Sequence, residues 1–85
     1  GLVMKVGPHD SLMDEARALA ERIVTNCAPL AVRATKEIAK RGQEMPFVDA
    51  IRFGETMRRV AAETEDAQAF KASTAKGERP TWTGR

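Results

Sequence analysis

One cysteine, one histidine, one tryptophan and no tyrosine occur among these 85 residues. A lone Cys27 closes no internal disulfide, which excludes a disulfide-stapled secreted module and makes a reducing cytoplasm the expected compartment. A lone His9, with no second His or Cys at ligand spacing, argues against a zinc site. Aromatics are only 5%, so any core must be aliphatic and thin. No apolar run approaches the roughly 20 residues that span a bilayer, and no signal-peptide pattern is present. A dominant charge is missing as well. Fourteen Lys+Arg stand against twelve Asp+Glu, a net charge of +2 with the signs interspersed. Without a basic run or stacking aromatics, nucleic acid is not an expected partner.

What is there suits a small helical protein: 42% apolar and 31% charged residues, which also argues against disorder. A chain this short forms one small domain or part of a larger one. Its own core would supply only about 3–5 kcal/mol. The chain opens on Gly-Leu-Val rather than Met, and this apolar, strand-like start points to a preceding segment.

Gly1 to Val6 reads as a short extended segment ended by Gly7-Pro8. It would need a strand partner to be stable. A first helix is expected from about Leu12 to Thr25, capped by an oxygen of Asp10 or Ser11, with Asp14 and Glu15 in its first turn. Leu12, Ala16, Leu19 and Ile23 make one apolar stripe, and Asn26 is a stop that tolerates a left-handed cap. A second helix begins at Pro29 and ends at Gly42, with Leu30, Ala31, Ala34 and Ile38 facing inward. The third runs from about Pro46 to Ala62, with Phe47, Ala50, Ile51, Gly54, Met57 and Ala61 on one side. Val48 and Val60 widen its apolar surface beyond one stripe, as on helices that pack against a partner chain. Thr64 caps a shorter fourth helix from Glu65 to Lys76, with Ala67, Phe70 and Thr74 as inner candidates, and Gly77 breaks it. The tail has no periodicity and reads as an extended or frayed terminus. The expected class is all-α, three to four helices after a short strand-like segment.

Each chemical group has two readings. His9 beside Asp10 is either a general base oriented by a carboxylate or an exposed loop histidine. Cys27, just before a helix start, is a nucleophile or a small buried hydrophobe. Glu63, Glu65 and Asp66 form an acid–base cluster or simply the carboxylates expected at a helix start. Arg58 and Arg59, with Lys71, Lys76, Arg79 and Arg85, grip phosphates or form a solvated face. Trp82 docks on a surface or is exposed by chance. In each pair except the last, the second reading is the plainer one.

Three stretches, in order and in register, resemble the C-terminal end of the enoyl-CoA hydratase/isomerase (crotonase) superfamily. Gly1-Leu2-Val3, Val6 and Pro8-His9-Asp10 match its GLVN-x-VVP-H-[DE] stretch. Ala28-Pro29-Leu30-Ala31 with Thr35-Lys36 match its APLA-TK signature. Glu65-Asp66-Ala67, Arg79-Pro80 and Trp82-Thr83-Gly84-Arg85 match its SEDA and RPPxWTGR ending. The resemblance spans essentially the whole chain.

This resemblance implies that residues 1–85 are the C-terminal helical, oligomerisation and CoA-covering segment of a larger enzyme. The parent would stabilise an enolate and hydrate an enoyl-CoA thioester or shift its double bond. Its oxyanion hole and catalytic carboxylates would lie outside this segment, so the chain alone is expected to be inactive. No covalently bound cofactor is implied; a coenzyme A thioester is the substrate. The implied partners are acyl-CoA and further copies of the chain, a trimer or hexamer in the parent and an exchanged dimer or trimer for the segment. The family's Phe-x-x-Lys pair, which touches CoA, falls on Thr74 and Gly77 here, its Glu-Gly pair falls on Ala69-Phe70, and Met4 and Gly7 replace an Asn and a Val. Lys76 and Arg79 are left as the candidates for the phosphate contact. The alternative of a different class is a standalone helical module that binds a partner protein through the third helix.

Overall fold

Helix α1 (Leu12–Asn26) grows out of a single 3-10 turn at His9–Ser11. Ser11 already has helical backbone angles and makes no side-chain cap. Its hydroxyl turns back and donates to the Pro8 carbonyl at 3.1 Å. The expected cap from Asp10 or Ser11 is therefore absent, because the preceding turn already aligns the backbone. Asn26 does not adopt a left-handed cap either; no non-glycine residue has positive φ. Its Nδ2 instead folds back along the helix and donates to the Arg22 carbonyl, one turn earlier, at 2.8 Å.

Cys27 and Ala28 are both extended and lead into α2 (Pro29–Arg41). Ala28 must be, because it precedes a proline, and Pro29 opens the helix where its missing N–H costs nothing. At Gly42 the chain tightens into a 3-10 turn, Gly42–Glu44, with φ −60° rather than a left-handed stop. Helix α3 (Phe47–Ala62) follows the extended Met45-Pro46 pair. Helix α4 (Glu65–Lys76) starts as the sequence indicates, with Thr64 Oγ1 accepting the Ala67 N–H at 3.2 Å. It ends in a Schellman arrangement: Gly77 at φ 70°, its N–H on the Thr74 carbonyl, and the Glu78 N–H on that of Ser73.

The computed structural model describes residues 1–85 as these four helices with no strand. Gly1–Val6 carries no regular structure, bends at Met4 and joins no strand; Leu2 is wholly exposed.

The helices do not enclose a core. The main packing is α2 on α3, with α4 joining α3. Gly54 brings α3 close to Ile38, whose Cγ2 lies 3.6 Å from where a Cβ would stand. The molecule is a slab 42 × 40 × 18 Å with a radius of gyration of 15.9 Å. A closed domain of this length has about 12 Å. Its accessible surface is 7343 Å², against about 5,000 Å² for a folded monomer of this mass. No apolar residue is buried; Asp66 and Ser73 are the two residues that are.

The stripes shift accordingly. Leu12, Leu19 and Ile23 of α1 stay exposed, as does Ala31 of α2, while Leu30, Ala34 and Ile38 are half-buried. On α3 the shielded row is Ala50, Phe53, Gly54, Met57 and Ala61. Phe47 and Ile51, expected on that row, are 80% and 55% exposed. On α4, Ala67 is half-buried as expected, but Phe70 and Thr74 are exposed, and Asp66, Ala69 and Ser73 are shielded instead.

Candidate functional site

Side-chain hydrogen bonds converge where the tail returns to the start of α4. Asp66 is fully buried there. Its Oδ1 accepts the Thr83 N–H at 2.6 Å and the Thr83 hydroxyl at 3.0 Å, and its Oδ2 accepts the Gly84 N–H at 2.9 Å. In return, the Asp66 N–H donates to the Arg85 carbonyl at 3.0 Å. This answers two needs at once: Asp66 N–H is an orphan donor of the first helical turn, and an extended tail has donors to place. The Thr83 N–H is the main cause that holds the Asp66 carboxyl below its ordinary value; the Gly84 N–H, the Thr83 hydroxyl and the Arg85 charge add to it, against the desolvation.

Trp82 extends the cluster toward α1. Its indole stacks on Phe70, with centroids 6.5 Å apart and planes 25° apart. Its Nε1–H donates to the Thr25 carbonyl at 3.0 Å. The tail lacks regular structure, as expected, but it is pinned rather than frayed. Trp82 takes the docked reading.

The remaining candidates fall apart or take their plainer role. Glu63 and Glu65 are exposed while Asp66 is buried, so they form no acid–base pair; Asp66 serves the tail. His9 and Asp10 are exposed. Cys27 is exposed and unpaired, so the buried-hydrophobe reading fails too, because no helix closes over the α1–α2 junction. No cluster of three or more His, Cys, Asp or Glu side chains could hold a metal. Arg58, Arg59, Gln68 and Lys71, together with Glu63, line an open cleft of about 370 Å³ between α3 and α4. Arg58 is also tied to Glu55 at 3.0 Å, and its hydrogen bond and charge hold the Glu55 carboxyl low. Lys76 and Arg79, the candidates for a phosphate, are exposed on either side of Gly77 and do not line that cleft. A second open groove, of about 540 Å³, runs between Met4–Pro8 and α1 and is flanked by Leu12, Leu19 and Arg22.

The whole chain aligns with carnitinyl-CoA dehydratase of Escherichia coli K12, 36% identical over 89 positions, spanning 34% of that protein. The same enzyme of Citrobacter koseri is 35% identical, again over all of this chain and 34% of its own length. An enoyl-CoA hydratase/isomerase from Mycobacterium paratuberculosis superposes on the entire chain with a TM-score of 0.90 and 34% identity, through 33% of its length. An enoyl-CoA hydratase from Geobacillus kaustophilus gives 0.89, 29% and 32%. No family model matches the chain.

The chain is similar, over its whole length, to a C-terminal part of enoyl-CoA hydratase/isomerase-type proteins. It spans about a third of the length of the crotonase-type relatives it matches. The open slab is the layout that the same segment takes inside those longer crotonase-fold chains. No helix is long and apolar enough to cross a membrane.

Sequence reasoning missed Ser73, buried at the Schellman turn, and Thr83 and Gly84, the donors to Asp66. The Trp-Thr-Gly-Arg ending was a visible signal for the latter. Nothing in local periodicity marks which distant carboxylate receives it.

Proposed function

We propose that residues 1–85 are the C-terminal helical segment of an enoyl-CoA hydratase/isomerase-type enzyme, acting in fatty-acid metabolism in the cytoplasm. The parent enzyme hydrates an enoyl-CoA thioester or shifts its double bond. The oxyanion hole and catalytic carboxylates belong to the rest of that enzyme. This segment serves subunit assembly and helps hold coenzyme A, with Lys76 and Arg79 facing its phosphates.

One observation carries the reading: a slab with no buried apolar residue has the shape of one third of a crotonase-fold chain. Helices with apolar faces left open need cover from other chain. Lys76 stands at the end of α4 and Arg79 just beyond the left-handed Gly77, both exposed and unpaired, as a phosphate ligand must be before it binds.

Titrating coenzyme A into the assembled chain tests this. Lys76→Ala and Arg79→Ala are expected to weaken binding roughly three- to tenfold each, as loss of a charge-assisted phosphate contact does, and added salt should weaken it further. Hydration of crotonyl-CoA at an enzymatic rate by the isolated chain would refute the reading. A compact monomer that captures no CoA would favour the standalone interaction module.

A further inference from the structure

Helix α1 shares no hydrogen bond or ion pair with α2, α3 or α4. Glu15 pairs back to Lys5, and the one polar link from α1 to distant sequence is the Thr25 carbonyl, which accepts from Trp82. Between α1 and α2 stand only Cys27 and Ala28, both extended and outside either helix. Two non-helical residues joining two rigid helices can absorb a large change of φ and ψ. The apolar side chains of α1 that would resist such a change, Leu12, Met13, Ile23 and Val24, are 43–73% exposed.

At the other end of that single link lies the best-satisfied polar cluster of the molecule. Asp66 grips Thr83 and Gly84 through three hydrogen bonds and gives its own N–H to Arg85. Phe70 supports the indole. The 77–81 span that leads to it begins at a left-handed glycine and is largely exposed.

We propose that residues 82–85 are a strap, locked by Asp66, that holds α1 to α4, and that its release lets α1 and the segment before it swing about Cys27-Ala28 while α2, α3 and α4 keep their packing. Asp66 is a positioning residue in this device: it acts on α1 only through the tail. The groove between Met4–Pro8 and α1 travels with α1, because both of its walls belong to the moving unit.

Cys27, the only cysteine and exposed, sits two residues from Thr25 and reports the strap directly. A bimane fluorophore on Cys27 is quenched on contact with an indole, and Trp82 is the only one. The unmutated chain should be dim and Trp82→Phe bright. Asp66→Asn replaces one acceptor oxygen with a donor that faces an N–H, so it should be as bright as Trp82→Phe with unchanged helical circular dichroism. Deletion of residues 83–85, which keeps the indole, should do the same. The proposal is overturned if the unmutated chain is as bright as Trp82→Phe, or if Asp66→Asn and the deletion both stay dim. Loss of helicity in both also overturns it, since a strap must release without unfolding what it holds.

Discussion

The two ends of this chain are held by opposite means. At α4 and the tail, a buried carboxylate, four hydrogen bonds and a stacked indole fix a segment with no secondary structure of its own. At α1, a regular helix of 15 residues exposes its apolar stripe and rests on one indole contact. Regular backbone hydrogen bonding thus says little about how firmly an element is placed. The tail is local and self-sufficient in its polar groups. The apolar faces of α1 and α3 are left open within these residues, as befits a layout that recurs as a third of longer chains.

The sharpest way to break the contrast is to remove its polar half. Asp66→Ala deletes every acceptor for Thr83 and Gly84. Their amides should lose hydrogen-exchange protection entirely, while those of mid-α2 and mid-α3 keep theirs. Acid should do the same reversibly. The folded-state carboxyl of Asp66 lies below its ordinary value, so its contribution is fully present above about pH 4. It fades as the pH falls below that toward the lowered value, because the unfolded chain binds the proton first. Trp82 emission followed from pH 7 down to 2 should shift red only at the acid end, and Asp66→Asn should abolish the transition.

Smaller effects sharpen the helical half. Ile38→Ala opens the α2–α3 contact at Gly54 and should destabilise by about 1–2 kcal/mol, the low end for a truncation because the site is only half-buried. Thr64→Ala removes the one side-chain N-cap, the Ala67 N–H partner, and should cost about 1 kcal/mol. Gly54→Ala runs the other way. The added methyl meets Ile38 at 3.6 Å, an ordinary contact, and alanine favours mid-helix, so stability should rise by up to about 0.5–1 kcal/mol. Denaturant melts at one fixed protein concentration measure all three.

All four helices were legible in the sequence because their signals are local: Pro29, the Thr64 cap, the Gly77 stop and periodic apolar residues act within one or two turns. The Ser11 and Asn26 caps went otherwise because each side chain found a nearer carbonyl, at Pro8 and Arg22. Periodicity located the apolar stripes but not their cover, so Phe47 and Ile51 were placed inward while the structure leaves them open. The Asp66 clasp was illegible for a different reason. It joins positions 17 and 18 apart through backbone donors, and a backbone N–H leaves no mark on the residue type that carries it. What carried the resemblance was the register of three short motifs across the chain, not any catalytic group.

The central claim is that the apolar faces of these helices are built to be covered by other chain. Light scattering of the purified 85-residue chain over a wide concentration range tests it most directly. The account predicts a mass that is a multiple of 9.3 kDa and rises with concentration toward a dimer or trimer. A single species at 9.3 kDa throughout, with a sharp unfolding transition independent of concentration, would contradict it.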